Sequence, residues 1–368
     1  MKKKIITVVG ARPQFIKSGP LSRAIDQWNS TQSEHQIEEI ILHTGQHYDR
    51  DMSDIFFEEL KLRKPVYHFE PQSGSHGRQT GQMLQGIEEI LLQEKPEYLL
   101  VYGDTNSTLA GALAAVKIHI PVAHVEAGLR SFNKAMPEEI NRVLTDHVST
   151  LLFCPTQTAV ENLRRENLTR GVYNAGDVMY DATRFNSDIA DRKNEVLSNL
   201  QLNGRDYVLV TVHRAENTDH RERLENILNA LKKVAQERYT ILFPVHPRTR
   251  KMIDTYQLDT HPIQLIPPAS YLDILVLLKH ATIAVTDSGG LQKEACFLQT
   301  PCVTVREETE WIETVQTGWN IVTGTNETTI LNGIDTILKQ ERKPVGDAFG
   351  NCDASRKIVR ILAEHLFA

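Results

Sequence analysis

Short apolar runs rich in β-branched residues alternate along the chain with longer segments whose apolar positions recur at helical spacing. That alternation predicts strands of a parallel sheet with helices packed on both faces. It occurs as two series. In the first, strands are expected at Ile5–Val9, Glu39–Thr44, Tyr98–Tyr102, Val122–Val125 and Leu151–Cys154, with helices such as Ser107–Ile118 and Pro137–His147 between them. In the second, strands are expected at Tyr207–Val212, Thr240–Val245, Ile263–Ile266, Thr282–Thr286, Cys302–Val305 and Asn320–Thr323. The chain changes character at Asn174–Asp177, and a polar helical stretch over Thr183–Leu200 follows. The boundary is therefore placed near residue 175, giving domains 1–175 and 176–351. Ser355–His365 carries an apolar stripe of Ile358, Val359, Ile361 and Leu362, continued by Leu366, with no strand left for it to cover. Segment 352–368 is thus expected to pack back on the first domain. No internal repeat is visible, and the expected fold class is α/β, two doubly wound domains facing a cleft.

With 368 residues, 40% hydrophobic and 24% charged, the chain can bury two substantial cores, which excludes disorder as its main state. Lys plus Arg total 41 against 47 Asp plus Glu, a net charge of -6, the wrong sign for a protein built to wrap nucleic acid. Any anionic ligand must then meet a local basic site. Cys154, Cys296, Cys302 and Cys352 form no CxxC pair and lie in or beside apolar runs, which reads as reduced thiols with no structural metal. The first apolar run ends at Val9, before Gly10 and Arg12, too short for a secretory signal, and the longest strongly apolar run is only Ile274–Leu278. A soluble cytoplasmic protein with no membrane or nucleic-acid partner is expected.

The unusual polar clusters follow directly after the expected strands, where doubly wound sheets hold their ligands. The first series supplies Gly10-Ala11-Arg12-Pro13-Gln14 with Lys17, Thr44-Gly45-Gln46-His47, Gly103-Asp104-Thr105 and His124-Val125-Glu126-Ala127-Gly128. The second supplies His213-Arg214-Ala215-Glu216-Asn217, His246-Pro247-Arg248 and Asp287-Ser288-Gly289-Gly290. The last of these caps an expected helix, Leu291–Leu298, with a serine and two glycines, which leaves backbone N–H groups open to an anion. Glu294, about one turn into that helix, is placed to accept hydrogen bonds from a ribose. Arg12 and Lys17 on one domain, with His213 and Arg214 on the other, offer cations to a diphosphate. Each alone reads as a solvated surface charge; their coincidence on both domains favours a ligand site.

His43 and His47 have a metal-ligand spacing, but they straddle a strand end and Thr44-Gly45 interrupts any helix, so no metal is expected. Glu138 and Arg142 stand at i,i+4 with Asp146 one turn beyond, which by itself reads as an ion-pair ladder. Glu138 also opens its helix near the sheet edge that carries Glu126. Asp104, Glu126 and Glu138 would then lie together, and clustered carboxylates raise the pKa of at least one, as a general acid beside a general base requires. The first turn, GARPQF, offers no GxGxxG fingerprint, and GxxxxGK[ST] is likewise missing.

In these motifs the chain resembles the non-hydrolysing UDP-N-acetylglucosamine 2-epimerase family. The resemblance covers essentially the whole chain and rests on Gly10-Ala11-Arg12-Pro13 with Lys17, Gly103-Asp104-Thr105, His124 to Arg130, Pro137 to Arg142, His213-Arg214 with Glu216-Asn217, and Asp287 to Gly290 with Glu294. It implies two Rossmann-like domains of the glycosyltransferase-B-like kind, a homodimer, a UDP-sugar substrate and no cofactor. It further implies that Arg12, His213, Ser288, Gly289, Gly290 and Glu294 hold UDP, helped by Arg214 and His246. Lys17, Asp104, Glu126, Glu138 and Arg142 would surround the sugar, with His213 also counted among the catalytic groups. The C2 proton of an N-acetyl sugar is not acidic, so inversion there needs temporary oxidation or loss of the anomeric leaving group. Elimination of UDP across C1–C2 would give a 2-acetamidoglucal, and re-addition with a proton on the opposite face would give the epimer.

Two departures bear on substrate. Family members acting on UDP-N-acetylglucosamine commonly show Gln-His-Arg-Glu-Met, tied in bacterial forms to a second, activating substrate molecule. Here the stretch is Gln46-His47-Tyr48-Asp49-Arg50-Asp51-Met52, while Arg78-Gln79 resembles another part of that site. Gln46, His47, Arg78 and Gln79 are therefore candidates for regulation or substrate contact. Tyr48-Asp49, with Ser131-Phe132-Asn133 and Glu308-Thr309-Glu310-Trp311, resembles a branch acting on UDP-2,3-diacetamido-2,3-dideoxyglucuronate. Both substrates stay open. So does a retaining glycosyltransferase, which would use the same UDP cradle without three carboxylates at the sugar, and, more weakly, a non-catalytic sugar-nucleotide sensor.

Overall fold

The computed structural model describes residues 1–46, 57–69, 74–192 and 195–368, without the side chain of Asp347. Each run expected to be a strand forms one, and the chain divides into two units, 1–182 with 346–368, and 183–345.

In the first unit the strands are β1 (Lys2–Val9), β2 (Gln36–His43), β3 (Tyr67–His68), β4 (Tyr98–Tyr102), β5 (Val122–Val125), β6 (Leu151–Cys154) and β7 (Val172–Asn174). They form one sheet in the order β3-β2-β1-β4-β5-β6-β7, every pair parallel. The edge strands β3 and β7 were not expected from the pattern, because two or three partly exposed residues carry no readable alternation. In the second unit the strands are β8 (Tyr207–Thr211), β9 (Thr240–Pro244), β10 (Gln264–Ile266), β11 (Ile283–Thr286), β12 (Cys302–Thr304) and β13 (Asn320–Val322). Their order is β10-β9-β8-β11-β12-β13, again all parallel.

Both sheets place a reversal of winding at a defined point. In the first the chain winds outward from β1 on one side and from β4 on the other; in the second β8 and β11 play the same parts. Helices leave opposite faces at such a point and open a crevice beyond the strand ends, the usual ligand position in this architecture.

The expected single helix over Thr183–Leu200 is instead two, Val178–Asp191 and Val196–Asn199. The first starts early because buried Asp177 accepts the Met179 N–H at 2.8 Å, a side-chain cap ahead of the polar stretch. The last helix, Ala354–Phe367, packs on helix Arg12–Thr31 and buries Ile358, Val359, Leu362 and Leu366 in the first unit's core. Its start is fastened there by Asp181, which accepts the N–H groups of Ala354 (3.3 Å) and Ser355 (2.8 Å) and the Ser355 hydroxyl (2.5 Å). Among the described residues no helix is long and apolar enough to cross a membrane.

Candidate active site

At the first unit's winding reversal, β1 runs into Gly10-Ala11 and then the helix that starts at Arg12, while β4 runs into Gly103-Asp104-Thr105. One buried amide holds these ends together. The Gln14 Oε1 accepts the N–H groups of Gly10 (2.8 Å) and Ala11 (3.0 Å), and its Nε2 donates to the Tyr102 carbonyl and the Thr105 hydroxyl, both 2.9 Å away. Gln14 had no assigned role in the sequence; its position three residues into a helix with no polar cap residue was the available signal. One turn on, Lys17 is 8% exposed and ion-paired to Glu126, which follows β5.

Glu126 adopts φ +72, a left-handed conformation that costs an ordinary residue on the order of 1 kcal/mol or more and that collects at functional sites. Gly103 beside it adopts φ +61, strained for any side chain, and a Cβ there would stand tightly, 3.1 Å from Glu126 Oε2 and 3.4 Å from Lys17 Nζ. Asp104 accepts a hydrogen bond from Arg142. Burial pushes the Asp104 carboxyl above the usual range, Arg142 pulls it back, Glu126 adds to the rise and Lys17 opposes it. The two carboxylates thus sit on the ends of neighbouring strands within one electrostatic field, bound to different cations. A carboxyl raised by burial and a like charge is suited to proton transfer near neutral pH.

Arg142 lies on helix Pro137–Val148, whose acidic residues are used differently from the expected ladder. Glu139, 3% exposed, reaches Arg142 at 3.2 Å and accepts hydrogen bonds from the Ser131 N–H, the Ser131 hydroxyl and the Phe132 N–H, all at 2.9 Å. Glu138 is exposed on the first turn, with no hydrogen bond or ion pair among the described residues. Asp146, at the far end, bonds His124 Nδ1 (2.7 Å), Arg130 (2.7 Å) and the Gly128 N–H (3.1 Å) instead of Arg142. Burial opposes its ionisation, but His124 and then Arg130 outweigh burial and pull its pKa down. His124 in turn donates from Nε2 to the Gly103 carbonyl at 2.8 Å, which fixes the turn that carries Asp104. His124 and Asp146 are wholly buried.

Beside this pair, the Gln46 side chain accepts from the Ser107 N–H (2.9 Å) and hydroxyl (2.6 Å), and Gln79 bonds Asn106 at 3.3 Å. Asn141 donates to the Asp104 carbonyl at 2.9 Å, and Arg12 and Arg78 are exposed. His47, Tyr48, Asp49 and the residues to Met52 lie outside the described residues. His43 is buried against Phe15 and His68, accepts the Gly45 N–H at 2.9 Å on Nδ1, and is pushed down to about 4 by burial and then by His68. It is a neutral core histidine; no group of three metal-ligating side chains occurs among the described residues.

In the second unit the corresponding reversal joins the ends of β8 and β11, where Thr211 pairs with Thr286 in register. Asp287, fully buried, accepts the N–H groups of His213 (3.0 Å) and Arg214 (3.0 Å) and the Asn217 amide (3.1 Å). It therefore pins His213-Arg214 beside Ser288-Gly289-Gly290. Ser288 caps helix Gly289–Phe297, accepting the Leu291 N–H at 3.4 Å. The Gly289 face is closely covered: a Cβ there would meet Glu310 Oε1 at 2.7 Å, and Glu310 is held by Arg306 at 2.9 Å. Burial resists ionisation of Glu310, but Arg306 and Arg214 help bring its pKa below the usual value. Glu294, buried, neighbours Tyr271, whose phenol is raised by burial and then by that carboxylate. The His213 ring is 41% exposed and 5.9 Å from that of His246, which accepts the Arg248 N–H at 3.2 Å; burial, then His213 and Arg248, push His246 down.

Comparison with known proteins agrees with this arrangement. Residues 29–363 match the family model described as UDP-N-acetylglucosamine 2-epimerase. A UDP-N-acetylglucosamine 2-epimerase homolog of Methanococcus maripaludis is 52% identical over 365 residues, covering 98% of this chain and 99% of that protein. The UDP-2,3-diacetamido-2,3-dideoxy-D-glucuronate 2-epimerase of Pseudomonas aeruginosa is 46% identical over 364 residues, again covering 98% and 99%. Among solved structures, the UDP-GlcNAc 2-epimerase of Methanocaldococcus jannaschii in complex with UDP-GlcNAc and UDP superimposes with a TM-score of 0.87 at 45% identity, over 99% of this chain and all of that one. The chain, two Rossmann-like domains of the glycosyltransferase-B-like kind, belongs to the UDP-N-acetylglucosamine 2-epimerase family of isomerases.

Proposed function

We propose that this protein inverts C2 of a UDP-2-acetamido sugar, either UDP-N-acetylglucosamine or its 2,3-diacetamido uronate counterpart, by eliminating and re-adding UDP. The observation that carries the reading is the pair Asp104 and Glu126, on the ends of adjacent parallel strands and bound to different cations, Arg142 and Lys17. Inversion requires a proton to leave one face of C2 and another to arrive on the opposite face, so two proton-handling groups are the minimum. In the elimination one group takes the C2 proton, the C1–O bond breaks, and its electron pair leaves on the β-phosphate of UDP. In the return step UDP oxygen attacks C1 of the glycal and the second group protonates C2.

The second unit suits the leaving group. The Ser288 hydroxyl and the helix N–H groups of Gly289 and Gly290, with His213, Arg214 and His246, would take the growing diphosphate charge, and Glu294 would accept from the ribose hydroxyls. Arg12 would add a further cation, and Glu138, exposed as it is, is the third acidic group at the sugar. Relatives named for the two substrates stand at 46% and 45% identity, so both belong to the proposal. A homodimer working in the cytoplasm completes it.

The experiment is epimerisation of each substrate in D2O. Deuterium at C2 of the product, with the glycal and UDP trapped in small amount, is the expected result. Retention of the original C2 hydrogen would overturn elimination, and kcat/KM for the two substrates, measured side by side, assigns the sugar.

A further inference from the structure

Arg142 stands between two carboxylates, hydrogen-bonded to one and ion-paired with the other. Asp104 holds one arm of its guanidinium and Glu139 stands 3.2 Å from the other, and both the Arg142 and Glu139 side chains are nearly removed from solvent, 6% and 4% exposed. The same Glu139 carboxylate accepts three hydrogen bonds from the loop before its helix, from the Ser131 N–H and hydroxyl and the Phe132 N–H. That loop is unusual in itself: Phe132 is a bulky residue at φ +58 with 71% of its surface exposed, a conformation that persists only where its surroundings hold it.

We propose that Glu139 is a positioning residue for Asp104: it shares the Arg142 guanidinium, so that this cation does not neutralise Asp104 outright, and it fixes the Ser131-Phe132 loop to the same guanidinium. The inference rests on Asp104 being an acid/base group in the reaction proposed above. A cation divided between two carboxylates stabilises each less than it would stabilise one. Asp104 therefore keeps the proton affinity that a shuttle needs, which a dedicated Asp104–Arg142 pair would remove. The charged groups that act on Asp104 are Lys17 from helix Arg12–Thr31, Glu126 from the turn after β5, and Arg142 from helix Pro137–Val148, with Glu139 on the far side of the Arg142 guanidinium. His124 acts on the preceding Gly103 carbonyl.

The test reads Asp104 directly. Its carboxyl carbon, assigned by comparison with D104N, is followed by 13C NMR across pH in the full chain, in E139Q and in S131A. Loss of the Glu139 charge leaves Arg142 to Asp104 alone, so the Asp104 midpoint should fall by about one pH unit in E139Q. The limb of the kcat–pH profile that reports Asp104 should move down with it, and kcat at neutral pH should drop about tenfold with KM within about threefold. S131A removes one loop hydrogen bond and no charge, and should leave the Asp104 midpoint unchanged. If E139Q does not fold, E139D, which draws the carboxylate back by one methylene, should shift the midpoint in the same direction by less. A midpoint that stays put or rises in the folded Glu139 variant overturns the proposal, whether or not the protein epimerises sugars; an inactive wild type would instead overturn the function while the titration still decides the role of Glu139.

Discussion

The two strand-end sites occupy equivalent places in their sheets and are built from different materials. In the first unit the strand ends carry charged side chains paired with one another: Lys17 with Glu126, Arg142 with Asp104 and Glu139, and His124 with Asp146 and Arg130 behind them. In the second the strand ends carry mainly backbone N–H groups, those of His213 and Arg214 held by one buried carboxylate, Asp287, beside the glycine-led first turn of a helix capped by Ser288. Side-chain pairs have protonation states that neighbours can tune. Backbone donors have none, but they lose no rotamer freedom when they bind an anion. The same architecture therefore suits proton chemistry at one reversal and diphosphate binding at the other.

That contrast breaks first under substitution of the carboxylates. D104N and E126Q should each lower kcat by roughly two to four orders of magnitude while the Kd for UDP, measured by calorimetry, changes less than about threefold. A matching loss of UDP affinity would show that the two sites do not divide the labour in this way.

Acid should then separate the units. His43 is held neutral with a pKa of about 4 in the fold against 6.5 outside it. Because the folded value is depressed, its contribution is present above pH 6.5 and is lost as pH falls from there through about 4, up to about 3 kcal/mol in total. Thermal melts of the protein between pH 7 and 4 should show this loss, and H43F should flatten it. An unchanged slope in H43F would assign the acid sensitivity elsewhere.

A smaller effect is expected at the diphosphate side. H213A and R12A should each weaken UDP by about tenfold, about 1.4 kcal/mol, with kcat at saturating sugar nucleotide less affected. Equal loss in kcat would make His213 part of the chemical step. The smallest effect concerns stability. The folded state raises the Asp104 carboxyl, so it favours the protonated form; that stability is present below the ordinary carboxylate range and lost as pH rises through the raised midpoint. D104N mimics the neutral form. It should melt slightly above the wild type at pH 7, the gap closing as pH falls, despite its lower kcat. A lower Tm for D104N at pH 7 would mean that its bond to Arg142 outweighs the burial of its charge.

Periodicity and composition alone specify the α/β class, the two series of parallel strands and the places where polar clusters leave them. Apolar runs such as Tyr98–Tyr102, Val122–Val125 and Leu151–Cys154 are buried on both faces, so their limits are written in composition and coincide with the strands observed. The Ser288 cap was equally legible, because capping chemistry is local, although its helix starts at Gly289 rather than at the expected Leu291. Partnerships were not. Glu138 and Glu139 are adjacent acids on one helix, about 100° apart around its axis, and only the placement of that helix decides which one meets Arg142 and the Ser131 loop. Gln14 tying β1 to β4, Asp287 tying β8 to β11, and Asp146 meeting His124 and Arg130 are bonds between residues remote in sequence. Local patterning specifies which face of an element is buried; the register of neighbouring strands and the rotation of the packed helices specify which charges meet, and those are settled only when the whole unit folds.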